Sequence, residues 1–281
     1  FDRDLVMLPN LAIHMDRSVN QHKEWKVQKD MLPLYSMTGA KTPFMDVIAA
    51  AAKVKAEDIL AHDLILYSRV PAAIWGEERE FISSPKLDDL QCAFACFRGF
   101  TQGQKEKYIS VYALFDNEEV GSATSQGAGS TFLANTLERL ARSLGYSYDE
   151  TMAMIARSFM ISADNAHSVH PNHPEYADPV NRPVINGGIV IKYSAAQKYA
   201  TNAFSAAYFK KLCKGHDIPT QTFTNHSDNP GGSTLGNISN TVIAMPTVDI
   251  GLPQLAMHSS YETAGVKDTA YLVDAVTKFY E

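Results

Sequence analysis

The feature that most constrains how this chain folds is an alternation that begins near Ser84. Apolar runs of strand length take turns with amphipathic stretches of about 10–15 residues, a pattern that implies parallel strands joined by crossover helices. LDDLQCAFACF reads as a helix and YISVYALF, rich in β-branched and aromatic residues, as a buried strand. STFLANTLERLARSLG reads as a helix with Leu133, Leu137, Leu140 and Leu144 on one stripe, closed by Gly145. Ser147 with Glu150 three residues on makes a capping box for a helix through ETMAMIARS. FMISA, GGIVIKY and QTFTN read as strands, AFSAAYFKKLCKG as the helix before the last of them, and DTAYLVDAVTKFY as a closing helix. The expected class is α/β, a mostly parallel sheet with helices on both faces. Residues 1–83 are less regular: a strand-like opening, a helical stretch PFMDVIAAAAKVKAEDIL, and a strand-like run DLILYSRVPAAIW. They are expected to form a separate region, with the principal domain spanning 84–281.

Bulk properties exclude several classes. At 281 residues with 45% hydrophobic side chains, the chain can bury a large core without disulfides. The net charge of -6 argues against a nucleic-acid surface, and Lys and Arg cluster only in the short Lys105/Lys107 pair. No run approaches the ~20 apolar residues that span a bilayer. Three cysteines, Cys92, Cys96 and Cys213, make no disulfide framework, and the CxxxC spacing of the first two fits one helix face in a core. A reducing compartment follows.

In open α/β sheets, ligands sit beyond the carboxyl ends of the strands. After YISVYALF comes DNEEVGS, with Glu118 and Glu119 adjacent. Alone, such a pair reads as a solvated turn. After FMISA, however, Asp164 is followed by His167 and His170, and a third cluster holds His258. Asp88 and Asp89 stand at a helix start, where acids are favoured by the dipole alone. In combination, carboxylates and imidazoles without thiolates suit zinc, manganese or cobalt in a hydrolytic site. SDNPGGSTLG, with Gly231 and Gly232, reads equally as a tight turn or as a loop whose backbone N–H groups approach a ligand.

Taken together, LPNLAIHMDR, SSPKLDDL, FDNEEVGSATSQGAGS, SADNAHSVHPN, GGIVIKYSAAQKYATNA, DNPGGSTLG and QLAMHSSYE resemble the aspartyl aminopeptidases, peptidase family M18, in order and over nearly the whole chain. The resemblance implies a zinc-peptidase-like (phosphorylase/hydrolase-like) catalytic domain, with residues 1–83 part of an inserted dimerisation domain. It implies a cytoplasmic enzyme that removes N-terminal Asp or Glu from peptides with two Zn2+ per site, or Mn2+ or Co2+. It also implies assembly into dimers and dodecamers, with neither nucleic acid nor membrane as partner. By motif, Asp88 would bridge the metals and Glu118 would act as general base. Glu119 and His258 would hold one metal and Asp164 the other. His167 would lie near the substrate carbonyl, Lys192 would face its acidic side chain, and His14 would reach into a neighbouring subunit's site.

The resemblance also implies a further histidine ligand in an HxD-type motif, which no segment here matches once His14 is taken by LAIH. The missing ligand is expected from a segment preceding Phe1. A non-catalytic fragment or assembly subunit is the alternative expectation.

Overall fold

The computed structural model describes residues 1–103, 108–229 and 231–281, so the Lys105/Lys107 pair lies outside the described residues. The chain divides into two compact units, Phe1–Arg69 and Val70–Glu281. In the first, the short helix α1 (Val27–Asp30) and the helix α2 (Phe44–Ala52) are joined by irregular chain. The helical stretch expected from residue 43 onward stops at Lys53, whose left-handed backbone (φ 58°) ends α2. Among the described residues, the strand-like opening makes a single bridge, Met7 to Leu34. The Arg69 guanidinium closes the unit by reaching Asp2 and Asp4 at 2.9 and 2.7 Å.

The second unit holds two sheets. Its elements run β1 (Ala73–Trp75), β2 (Phe81–Ser84), α3 (Leu87–Gln102), α4 (Phe132–Ser143), α5 (Tyr148–Arg157), β3 (Met160–Ala163), β4 (Ala166–His167), β5 (Ile189–Lys192), α6 (Ala203–Lys214), β6 (Thr220–Phe223), α7 (Leu235–Ser239), β7 (Thr247–Gly251), β8 (Pro253–Leu255), β9 (Glu262–Gly265) and α8 (Val266–Tyr280). The four-stranded sheet has the order β3-β7-β5-β6; β3–β7 and β5–β6 are parallel and β5–β7 antiparallel. The five-stranded sheet, β1-β2-β9-β8-β4, is antiparallel except at β4–β8. β1 and β2, just ahead of the boundary expected near residue 84, pair within this unit. Of the run DLILYSRVPAAIW, only β1 becomes a strand.

Period-two alternation divides the sheet residues between two faces. Ile189 and Ile191 of β5 pack with Phe209 of α6, Val248 and Ile250 of β7, and Leu272 of α8 in the main core. Val190, between them, turns to Ala166, Tyr199 and Phe223. Ser162 and Asp249 likewise alternate with core residues and meet Gly236 of α7, so helices cover both faces. α3 and α8 pack so closely that a Cβ at Gly99 would lie 2.6 Å from Val276 Cβ. Cys92 and Cys213 are buried and all three cysteines are free thiols. The expected capping box is present, with Ser147 and Glu150 each bonding the other's backbone N–H.

One expected strand is absent. YISVYALF is not in a ladder; Ile109 and Leu114 are 52% and 63% exposed. The segment is tied to helices by side chains instead. Tyr112 Oη donates to the Ala93 carbonyl at 2.9 Å and Tyr280 Oη to the Val111 carbonyl at 2.6 Å. β propensity marks a chain that fits a pleated surface but supplies no partner strand. The α4 stripe is also only partly buried: Leu133 is in the core, whereas Leu144 is 55% exposed.

Candidate metal centre

Four stretches of chain bring carboxylates and an imidazole together. Asp88 and Asp89 lie in the first turn of α3 but off helical geometry (ψ 114° and 24°), with a cis peptide bond between them. The Asp88 side chain is 4% exposed. Glu118 and Glu119 open a 3-10 turn, Glu118–Val120, flanked by the left-handed residues Asn117 (φ 61°) and Gly121 (φ 100°). Gly121 suits a backbone that side chains disfavour. The turn is pinned by Ser122 N–H donating to the Asn117 carbonyl at 2.9 Å and by Asn117 Nδ2 donating to Thr124 Oγ1 at 3.0 Å. Asp164 follows β3 directly, and His258 sits in the turn from β8 to β9, itself left-handed at φ 66°.

His258 Nε2 lies 3.1 Å from Asp88 Oδ2 and 3.0 Å from Glu119 Oε2. Asp88, Glu119 and His258 form one group with ligand atoms within 4.8 Å of one another, and Asp88, Asp89 and Asp164 form a second. Asp88 belongs to both. Such crowding of acids is costly. Burial, then the Asp164 charge, pushes the Asp88 carboxyl up to about 9. Burial also raises Asp89 well above the carboxylate range. Glu118 rises to about 7, again through burial first and then Asp164 and Glu119. Asp88 Oδ1 and Asp89 Oδ1 are buried without a hydrogen-bond partner. Buried acceptors of this kind are rare unless an ion or a water serves them. The donor set, oxygen and imidazole with one carboxylate shared, therefore fits divalent metal ions.

The remaining expected residues fall in different places. Lys192 ends β5, buried, with Nζ 3.3 Å from Asp164 Oδ2 and 2.7 Å from the Asn165 carbonyl. Burial works against its charge, but the acidic groups around it, Asp164 first and then Tyr199, Asp249 and Cys92, together outweigh burial and raise the pKa. His167 is exposed along one edge, yet desolvation, then the nearby Lys192 and His258, lower its pKa. Gly231 packs against the Asn225 side chain, where a Cβ would meet Oδ1 at 2.2 Å, and its carbonyl accepts from Lys198 Nζ at 2.6 Å. Gly232 has open space around it, and Pro230 lies outside the described residues. His14 is an exposed turn residue of the first unit.

One residue escaped the reading of the motifs. Glu262, the first residue of β9, is 2% exposed. Its Oε2 accepts the Asp88 N–H at 2.9 Å and its Oε1 the His258 N–H at 2.7 Å. The only signal in the sequence was an acid four residues beyond His258. A cavity of about 1480 Å³ opens beside the acids and continues between α3, α4, α5 and the 108–115 segment, where Leu137 and Ile155 make it apolar.

The model of the aminopeptidase I zinc metalloprotease family (M18) matches residues 1–280. The chain belongs to that family. It is 44% identical over 283 residues to a probable M18 family aminopeptidase 2 of Clostridium novyi (strain NT), covering 99% of this chain and 65% of the relative. The chain thus spans just under two-thirds of that relative's length. Among solved structures, it is similar to one from a cryo-EM complex of Ape4 and Nbr1, with a TM-score of 0.86 and 30% identity over 99% of this chain and 58% of the other. The mApe1 dodecamer of S. cerevesiae shares the fold, with a TM-score of 0.78 and 24% identity over 98% of this chain and 62% of the other. This M18 chain therefore carries its acids and His258 on the family's own α/β framework.

Proposed function

We propose that this chain is the larger part of a metal-dependent aminopeptidase that releases N-terminal Asp or Glu from peptides. The observation that carries the reading is the convergence of Asp88, Asp89, Glu119, Asp164 and His258 in two groups that share Asp88, with Glu118 alongside. Two Zn2+, or Mn2+ or Co2+, would be held by Glu119 and His258 on one side and Asp164 on the other, with Asp88 between. Bound divalent cations supply Lewis acidity, polarising the peptide carbonyl and easing ionisation of water.

The chain's own residues do the rest. Glu118, next in sequence to Glu119 and lining the cavity beside the acids, would take a proton from the attacking water and return it to the leaving amine. His167, kept neutral by its surroundings, can donate one N–H to the substrate carbonyl as charge develops there. An ammonium has three donors. Lys192 uses donors on Asp164 and the Asn165 carbonyl, which leaves one to meet an acidic substrate side chain. Assembly into dimers and dodecamers, with His14 reaching a neighbour's site, and a cytoplasmic location complete the reading; the assembly is supported by the dodecameric fold relative.

The test is release of the first residue from Asp-, Glu- and Ala-initiated peptides by the metal-loaded protein. Faster turnover of the acidic peptides, lost with a chelator and restored by Zn2+ or Mn2+, supports the reading. Chelator-insensitive turnover contradicts it, as does equal turnover of all three peptides. A protein that binds metal but turns over none of them favours the non-catalytic subunit instead.

A further inference from the structure

Glu262 connects two site residues that come from opposite ends of the second unit, and it does so through their backbones. Asp88 follows β2, and His258 lies in the turn that leads into β9. β9 is an interior strand, paired with β2 on one side and β8 on the other, with Glu262 opposite Ser84. The Glu262 side chain thus starts from a backbone paired with β2, one residue before the β8 pairing begins at Thr263. Its two oxygens each take one N–H, from Asp88 at 2.9 Å and from His258 at 2.7 Å.

His258 adopts φ 66°, a region disfavoured for a residue with a side chain, and such a conformation persists only where surrounding bonds over-determine it. Asp88, at φ -81° and ψ 114°, is extended rather than helical. Glu262 supplies a hydrogen bond to the backbone of each. A single group therefore sets how far the Asp88 carboxylate and the His258 imidazole stand from each other.

We infer that Glu262 is a positioning residue of the metal centre, holding Asp88 and His258 at metal-binding distance from the backbone side without itself touching the metal. The inference rests on the metal-centre reading given above. A glutamine would keep one acceptor oxygen and turn an N–H donor toward the other backbone N–H, so one of the two ligands would lose its anchor. An aspartate would keep both oxygens but withdraw them by one methylene. Partners that orient ligands typically change metal affinity by about 10–100-fold.

The experiment compares the 281-residue chain with E262Q, E262D and T263V. Thr263 is the control: it is the next residue of β9, and among the described residues its hydroxyl bonds Ser83 Oγ at 2.7 Å and none of the proposed ligands. Zn2+ affinity is measured by competition with a chromophoric chelator, the Co2+ absorption spectrum reports ligand geometry, and thermal melts of the metal-free proteins report stability. E262Q and E262D are expected to bind Zn2+ about 10–100-fold more weakly with an altered Co2+ spectrum. T263V is expected to melt earlier while binding as the wild type does. Wild-type affinity in E262D, or an equal loss of affinity in T263V, overturns the positioning role. A wild-type chain that binds no Zn2+ overturns the metal-centre reading beneath it.

Discussion

Lys192 Nζ lies 3.3 Å from Asp164 Oδ2, and both side chains are shielded from solvent at the ends of β5 and β3, which flank β7 in the sheet. The ammonium also holds the Asn165 carbonyl at 2.7 Å, so it is the positive charge around which the Asp164 turn is organised. Removing one member of a buried pair leaves the other charge uncompensated, at a cost of about 3–5 kcal/mol. K192M should therefore lower the unfolding free energy of the metal-free chain by about that amount in urea titrations. A loss below about 1 kcal/mol would mean the pair contributes no net stability.

The tight approach of α3 to α8 predicts a second loss from the smallest of substitutions. G99A would place a methyl 2.6 Å from Val276 Cβ and 3.0 Å from the Thr277 backbone nitrogen, which cannot move independently of α8. Overpacking of this kind costs about 1–3 kcal/mol. Since alanine otherwise favours a helix over glycine, an increase in melting temperature would show that the two helices can separate freely.

Asp268 predicts a pH dependence. It is buried in the first turn of α8, where its oxygens accept the Asn186 and Gly188 N–H groups at 2.7 and 3.0 Å. Burial pushes its carboxyl up to about 6, from 3.8, against those two bonds. Between these values the folded chain holds a proton that the unfolded chain releases. Its contribution to stability is therefore fully present below about 4 and is lost as pH rises to about 6, by about 3 kcal/mol in all. Urea titrations from pH 4 to 7 should show the wild-type stability falling relative to D268N across that window. Parallel profiles would contradict the shift.

Much of the site could be read from the sequence because its residues cluster in short runs just past apolar segments. DNEEVGS, SADNAH and AMHSS each deliver an acid or a histidine to one end of the fold, and the structure brings Asp88, Glu119 and His258 within contact of one another. The helices α3, α4, α5, α6 and α8 and the strands FMISA, GGIVIKY and QTFTN were equally legible, since period and length decide them. YISVYALF was not: its composition suits a strand, but pairing depends on a neighbour that local sequence does not specify. Glu262 was hidden for a related reason. Its role arises from β9 being interior and from two backbone N–H groups, neither of which leaves a mark in residue types.

Metal titration of the chain by calorimetry, with bound metal counted after gel filtration, tests the metal centre itself. Two divalent ions per chain are predicted for the wild type and for E118Q, since Glu118 is assigned to proton transfer rather than to ligation. H258A and E119Q should each lose one ion, and the double variant should not lose a second. Absence of stoichiometric binding in the wild type, or equal loss of metal in E118Q and E119Q, would contradict the assignment of these residues.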